Sequence, residues 1–187
     1  EAEKPLREME LSEHERKTLN GFQFLTLKPL MYVLNSDESR YGQSNEWLEL
    51  LQKRGAAIEV AGKFEMELIQ LEDDEAAEFM SDMGIEESAL AKLARLSYQT
   101  LGLISFFTVG SDEVKAWTIR CGTLAVDAAG EIHSDLARGF IRAETVAFDD
   151  LQAVGSMKAA KEQAKLRLEG KEYPVKDGDI MNIRFNV

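Results

Sequence analysis

Cysteine is almost absent from this chain: Cys121 is the only one in 187 residues. An internal disulfide is therefore excluded, and a reducing cytoplasm is the expected compartment. Histidine is nearly as scarce. His14 and His133 are the only two, and neither has a His, Cys or acid at a metal-ligand spacing or a nucleophile to activate. Long apolar runs are missing too; no stretch approaches the length that spans a bilayer, and no secretory signal is present. There are three prolines, no internal repeat and no low-complexity segment. The phosphate-cradling pattern G-x-x-x-x-G-K-[ST] does not occur. The sequence opens Glu-Ala-Glu, without Met, in a stretch already helical in character, and we read it as a piece of a longer protein.

What remains is a globular composition, 44% hydrophobic and 30% charged, long enough for one or two domains with real cores. The net charge of −12 is unevenly spread. Residues 1–102 hold 11 Lys and Arg against 21 Asp and Glu, whereas residues 103–187 hold 11 against 13. The front half should repel nucleic acid, while the nearly neutral back half has room for a local basic face.

Along the chain, Ser12-Glu-His-Glu15 matches a capping box and predicts a helix over 13–21, ending at Gly21. An apolar run predicts a strand over 28–34, a polar loop over 35–44, a helix over 45–54 with Trp47, Leu48, Leu50 and Leu51 near one face, and a buried strand over 56–60. Strand, helix and strand in about 30 residues make a βαβ unit with parallel pairing. Helices are expected over 63–71, 74–83 and 88–101, the last strongly amphipathic and stopped by Gly102. The texture then changes. Strands are expected over 104–109 and 113–119, joined by a turn at Ser111-Asp112, then a helix over 124–134, a strand over 140–148, a short helix capped by Asp149-Asp150 and a helix over 157–165. Strands over 166–168, 171–175 and 180–185, with a turn at Lys176-Asp-Gly-Asp179, complete a small α+β roll or grasp. Its aromatics Phe106, Phe107, Trp117, Phe140, Phe148 and Phe185 read as core rather than as a stacking platform.

The chemistry concentrates at Asn35-Ser36-Asp37-Glu38, directly after the first apolar strand. Ligands of parallel sheets bind outside the carboxyl ends of strands. There an amide can donate to and accept from a base edge, and an acid can accept from base N–H groups. The plain alternative is a generic polar loop after a strand. Arg138, Arg142, Lys161 and Lys165 are the centre of a basic stretch that could face RNA phosphates, or could be ordinary surface charge. His133 reads as a structural polar contact at a helix end, His14 as solvated, and Cys121 as a partly buried, inert thiol.

The back half resembles a known family. The residues that carry this are Gly102-Leu-Ile-Ser-Phe-Phe-Thr108, Val114-Lys-Ala-Trp-Thr-Ile-Arg120 with Gly122-Thr123, Ala128-Ala-Gly-Glu-Ile-His-Ser-Asp135, Arg138-Gly-Phe-Ile-Arg-Ala-Glu144, Lys165-Leu-Arg-Leu-Glu-Gly-Lys171, Asp177-Gly-Asp-Ile180 and the ending Arg184-Phe-Asn-Val187. It is similar to the C-terminal end of the YchF, or Obg-like, ATPase family. That resemblance implies an α/β remnant of a P-loop nucleotide-binding domain plus helices, followed by an α+β ubiquitin-like β-grasp, the TGS domain. It implies residues 1–25 as the end of a helical coiled-coil arm, 26–102 as the C-terminal part of the nucleotide-binding domain with its linking helices, and 103–187 as TGS. It implies ATP with Mg²⁺ as cofactor, preferred over GTP, because Asn35-Ser36-Asp37-Glu38 fits the family's Asn-x-x-Glu variant of the guanine-reading Asn-Lys-x-Asp. The nucleotide-contacting residues it implies are Asn35, Ser36 and Glu38, with Ala61 and Gly62 in a second base-side loop that has lost the usual Ser hydroxyl. It implies the phosphate loop and Mg²⁺ ligands upstream of this chain, which alone should be inactive. The partners implied are the large ribosomal subunit or its RNA, touched by a face such as Arg138, Arg142, Lys161 and Lys165, with no DNA, no membrane and a monomeric state. The alternative is a TGS interaction module without chemistry of its own.

Overall fold

Ser12 starts the first helix in the way its neighbours dictate. Its side chain accepts from the Glu15 N–H while the Glu15 carboxylate accepts from the Ser12 N–H at 2.8 Å, a complete capping box ahead of α1 (Glu13–Asn20). The structure is a computed structural model in which residues 3–43, 45–82, 84–110 and 113–186 are described. Its chain falls into two units, Glu1–Leu101 and Gly102–Val187.

In the first unit, short 3₁₀ turns flank α1 (Leu6–Glu8 and Leu25–Leu27), and β1 (Met31–Asn35) follows. The strand begins three residues later than the 28–34 expected. Lys28 spends its N–H closing the 3₁₀ turn onto the Leu25 carbonyl, and Pro29 has none to give. Asn45 caps α2 (Glu46–Gln52) by accepting from the Trp47 N–H at 3.0 Å. The helix leads to β2 (Ala56–Val60), which pairs parallel with β1 in the register Met31↔Ala56 to Asn35↔Val60. The expected apolar face of α2 is not buried: Trp47 is 69% exposed and the helix holds no buried residue. Next come α3 (Gly62–Leu68), α4 (Asp73–Asp82) and α5 (Ala89–Leu101), with residue 83, the expected end of the middle helix, outside the described residues. Ala61, Phe64, Leu68 and Ile85 form the core here, with Phe64 stacked on Phe79 at 5.0 Å. The Glu65 carboxylate accepts from the Ala89 N–H at 2.7 Å, and α5 lies against both strands.

The second unit is a five-stranded sheet in the order β4-β3-β7-β5-β6. Its hairpin is β3 (Leu103–Val109) antiparallel to β4 (Val114–Arg120); the turn expected at Ser111-Asp112 lies outside the described residues. The expected helix over 124–134 is in fact two, α6 (Ala125–Ile132) and α7 (Ser134–Arg138), because the extended backbone of His133 (φ −163°) ends one and caps the other. β5 (Phe140–Ala147) pairs antiparallel with β6 (Arg167–Glu169) and β7 (Asp179–Phe185), and β7 runs parallel to β3. α8 (Phe148–Val154) and α9 (Met157–Glu162) sit between β5 and β6 in sequence. Ala147 is the N-cap of α8, so Asp149 and Asp150 lie within its first turn rather than capping it.

α6 packs on one sheet face over Phe106, Ile119, Phe140, Ala143 and Met181. Val146 and Ile180 pack with Ala160 of α9 in a second, smaller cluster. Residues 171–175 are no strand but a single bridge, Leu124↔Pro174. Their carbonyls serve α6 instead: Tyr173 accepts from Ala125 N–H at 2.8 Å and Lys171 from Val126 N–H at 3.4 Å. Those are donors that a helix start leaves without a partner, and Leu124 supplies no side-chain cap. Phe148 and Phe185, expected in the core, are 49% and 46% exposed because they stand at the ends of their elements. Cys121, expected partly buried, is exposed.

Candidate functional site

Parallel pairing brings the carboxyl ends of β1 and β2 to one edge, and the Ser36 N–H extends the ladder by donating to the Val60 carbonyl at 2.9 Å. The two loops that leave this edge are stitched together by Asn35. Its side-chain oxygen accepts from the Gly62 N–H at 2.9 Å. A backbone N–H only donates, so this bond fixes the amide orientation: one lone pair of Oδ1 is engaged by Gly62, and the Nδ2 donors remain for a ligand. A Cβ on Gly62 would stand 2.9 Å from the same Oδ1, so only glycine permits the approach undisturbed.

Asp37 shapes the loop from within. Its carboxylate accepts from the Ser39 N–H at 3.0 Å and the Ser39 hydroxyl at 2.6 Å, and its carbonyl accepts from the Arg40 and Tyr41 N–H groups. The Ser39 hydroxyl, then its N–H, hold the Asp37 carboxyl below the usual carboxylate range. Glu38 is half-buried. Its Oε1 accepts no hydrogen bond and lies 3.7 Å from the Lys63 ammonium, which also stands 3.8 Å from Glu67. Acid and amide thus sit on one loop, with an adjustable cation between Glu38 and the second loop.

The other expected residues are placed differently. The Ser36 hydroxyl donates to the Glu59 carboxylate and its N–H to the Val60 carbonyl, so Ser36 has no free donor for a ligand. Ala61 is buried in the core beside Phe64, and the Gly62 N–H is committed to Asn35. Glu59 was missed in the sequence; the signal was an acid in the otherwise apolar strand Ala56–Val60. Among the described residues no group of three or more His, Cys, Asp or Glu is placed to hold a metal.

The four expected basic residues do not form one cluster. Arg138 pairs with Asp135 at 2.6 Å and Lys165 with Asp150 at 2.9 Å. Arg142 is exposed on β5 opposite Arg184. Lys161 lines a groove of about 450 Å³ together with Lys158, Asn182, Arg184 and Glu144. There Arg184 pairs with Glu144 at 2.7 Å, which lowers the Glu144 pKa and raises that of Arg184. Arg184 was the cation the sequence reading left out. His133 acts where expected, at a helix end, accepting from the Asp135 N–H at 3.2 Å.

A mixed α/β chain results, in which a parallel strand pair with Asn35 at its carboxyl end precedes a separate five-stranded unit. The family model YchF-GTPase_C, described as a protein of unknown function (DUF933), matches residues 103–186. The Ribosome-binding ATPase YchF of Bacillus subtilis is 46% identical over 194 residues, covering 100% of this chain and 53% of that protein. The protein of the same name from Escherichia coli O157:H7 is 43% identical, covering 97% and 51%. The solved structure of the Schizosaccharomyces pombe YchF GTPase superimposes with a TM-score of 0.82 at 33% identity, over 97% of this chain and 50% of that one. A GTP binding protein from Pyrococcus horikoshii shares the fold at 17% identity, with a TM-score of 0.57. The chain belongs to the YchF family and corresponds to its C-terminal portion. It spans about half the length of the curated relatives it matches.

Proposed function

We propose that the chain supplies the base-reading edge and the C-terminal interaction unit of a cytoplasmic, ribosome-associated ATPase. The observation that carries this reading is the bond from Gly62 N–H to Asn35 Oδ1, which joins the two loops at the strand ends and frees Nδ2. An adenine ring presents acceptor nitrogens on its edge, and a guanine ring presents N–H groups that a short, well-placed Asp accepts. Glu38 stands where that Asp would be, one methylene longer and drawn toward Lys63, which favours ATP. Phosphate and Mg²⁺ contacts belong to sequence this chain does not contain; no G-x-x-x-x-G-K-[ST] occurs in it, and its relatives are about twice as long. ATP bound to the longer protein would supply the transferable phosphoryl group.

The unit Gly102–Val187 is read as a TGS-type β-grasp. Numbered within the unit, its strand order is 2-1-5-3-4 with a parallel central pair, and helices follow the first hairpin. Contact with the large ribosomal subunit or its RNA is assigned to this unit, with Arg142 and Lys161 the expected residues least occupied by neighbouring acids. Reversing Arg138, Arg142, Lys161 and Lys165 to Glu is expected to reduce co-sedimentation with ribosomes, with Arg142 and Lys161 carrying most of the loss. Unchanged co-sedimentation removes this face from the reading. The protein is taken as a monomer.

The test of the base reading is nucleotide turnover by the longer protein, wild type against the double variant Ser36→Lys, Glu38→Asp. Preference is expected to move from ATP toward GTP by about tenfold or more, the equivalent of roughly 1.4 kcal/mol or one hydrogen bond to a charged group. An ATP preference left unchanged places the specificity elsewhere. The 187-residue chain alone is expected to turn over neither nucleotide. Turnover by it would also defeat the second reading, a TGS module that binds without chemistry.

A further inference from the structure

Glu59 is the one acid in β2, and the base-reading arrangement of Asn35 and Glu38 makes no direct use of it. Its side chain is half-buried and fully occupied. Oε1 accepts from the Ser36 hydroxyl and, at 3.5 Å, from the Asn45 side-chain amide; Oε2 accepts from the Gly42 N–H at 3.2 Å. Ser36 is the first residue after β1, Asn45 is the N-cap of α2, and Gly42 lies between them at φ +73°. One carboxylate therefore holds the start, the interior and the end of the 36–45 loop against the carboxyl end of β2. The other bonds of this loop are of two kinds: those from Asp37 to residues 39–41 and from Gln43 to Ser39 and Arg40 are internal to it, whereas the Ser36 N–H donates to the Val60 carbonyl and the Tyr41 hydroxyl accepts from Lys92 Nζ, each at 2.9 Å. The first kind set its local shape; the second tie its start to β2 and Tyr41 to α5, which leaves Gly42 and Asn45 to be tied to β2 by Glu59.

We infer that Glu59 is a positioning residue, a clamp that fixes the 36–45 loop so that Asn35 Nδ2 and the Glu38 carboxylate face a nucleobase; this rests on the base reading proposed above. An ionised carboxylate suits the task because it only accepts, through two oxygens, and so can hold a hydroxyl, an amide N–H and a side-chain NH₂ at once. Hydrogen bonds to a charged acceptor are also the stronger kind. An apolar residue of the same length would fill the space and hold nothing.

The experiment has two arms. The first uses the 187-residue chain without nucleotide and follows amide hydrogen exchange in Glu59→Met, which keeps length and removes both acceptors, and in Glu59→Gln, which keeps hydrogen bonding without charge. The Gly42 amide is expected to exchange about tenfold faster in E59M, the loss of a charge-assisted bond, and to return to within about threefold of wild type in E59Q. The ladder amides of β1 and β2 report that the unit stays folded. Should E59M fail to fold, Glu59→Asp, which withdraws the oxygens by one methylene, is read in the same way. Exchange at Gly42 unchanged in whichever variant folds overturns the clamp. The second arm measures ATP affinity in the longer protein with a fluorescent analogue, and inorganic tripolyphosphate as competitor. E59M is expected to weaken ATP about tenfold, leave tripolyphosphate unchanged and be rescued by E59Q. If ATP affinity holds in E59M but falls in Asn35→Ala, the positioning role is wrong and the base reading stands. If it holds in both, the base reading itself fails, and the exchange arm alone decides whether Glu59 clamps the loop.

Discussion

Gly139 has no space for a side chain. A Cβ there would lie 2.2 Å from the Asn186 carbonyl oxygen and within 3.1 Å of its nitrogen. Both are backbone atoms of the residue that pairs with Gly139: Asn186 N–H donates to the Gly139 carbonyl at 2.9 Å. Nothing flexible can yield, so Gly139→Ala is expected to destabilise the chain by about 1–3 kcal/mol, the range for overpacking a fitted site, read as a lower urea midpoint at unchanged slope. Gly62 presents the opposite case: the atom a Cβ would meet belongs to the Asn35 side chain, which can swing away at the expense of the loop rather than the fold. Both glycines were visible in the sequence, but which atoms each approaches were not. The same limit applied to Asn35 and Ser36. Their residue types announced a polar loop at a strand end, whereas the bonds that engage Asn35 Oδ1 with Gly62 and the Ser36 hydroxyl with Glu59 come from residues more than 20 positions away.

Elements were legible where a local device defines them and illegible where a distant one does. The Ser12-Glu15 box and the parallel β1–β2 pair needed only neighbouring residues. Residues 171–175 look like a strand by composition but are recruited to the start of α6, 45 to 48 positions away in sequence (Val126 to Lys171 and Ala125 to Tyr173). What holds that segment is a network around the buried Asp179: the Tyr173 hydroxyl donates to Asp179 at 2.8 Å, Arg167 bridges Tyr173 and Asp179 at 3.0 and 3.1 Å, and the Lys176 N–H donates to Asp179 at 2.9 Å. Burial first, then the bond to Asp179 and its charge, push the Tyr173 phenol well above its ordinary value. A group whose folded pKa is raised stabilises the fold fully below its unfolded pKa and loses that contribution as pH climbs above it. For a tyrosine the loss begins near pH ~10. Tyr173→Phe is therefore expected to be less stable than wild type at neutral pH and to lose stability less steeply above pH ~10. Chemical denaturation at pH 7 and at about pH 10.5 checks this, and parallel pH slopes in the two proteins would contradict it.

Across the whole chain, buried apolar mass is unequally divided. Among the described residues, six buried hydrophobics lie in Glu1–Leu101 (Val60, Ala61, Phe64, Leu68, Ile85 and Ala89), against twelve in Gly102–Val187. The first unit's sheet has two strands and the second's has five, and two strands alone are marginal in water. Large side chains such as Leu25, Trp47, Ile69 and Leu90 stand open on the first unit. Local opening free energies follow buried apolar contact, so the two units should not exchange alike. In the 187-residue chain, amides of β1 and β2 are expected to exchange at least about a hundredfold faster than those of β5 and β7, a difference of roughly 3 kcal/mol in opening free energy. The longer protein, if it completes the sheet beside β1 and β2 as the proposed function requires, should slow the first set and leave the second unchanged. Hydrogen exchange with mass spectrometry on both proteins separates the outcomes. Equal protection of the two units in the short chain would mean that the first is already complete, and the reading of it as part of a larger nucleotide-binding sheet would have to be given up.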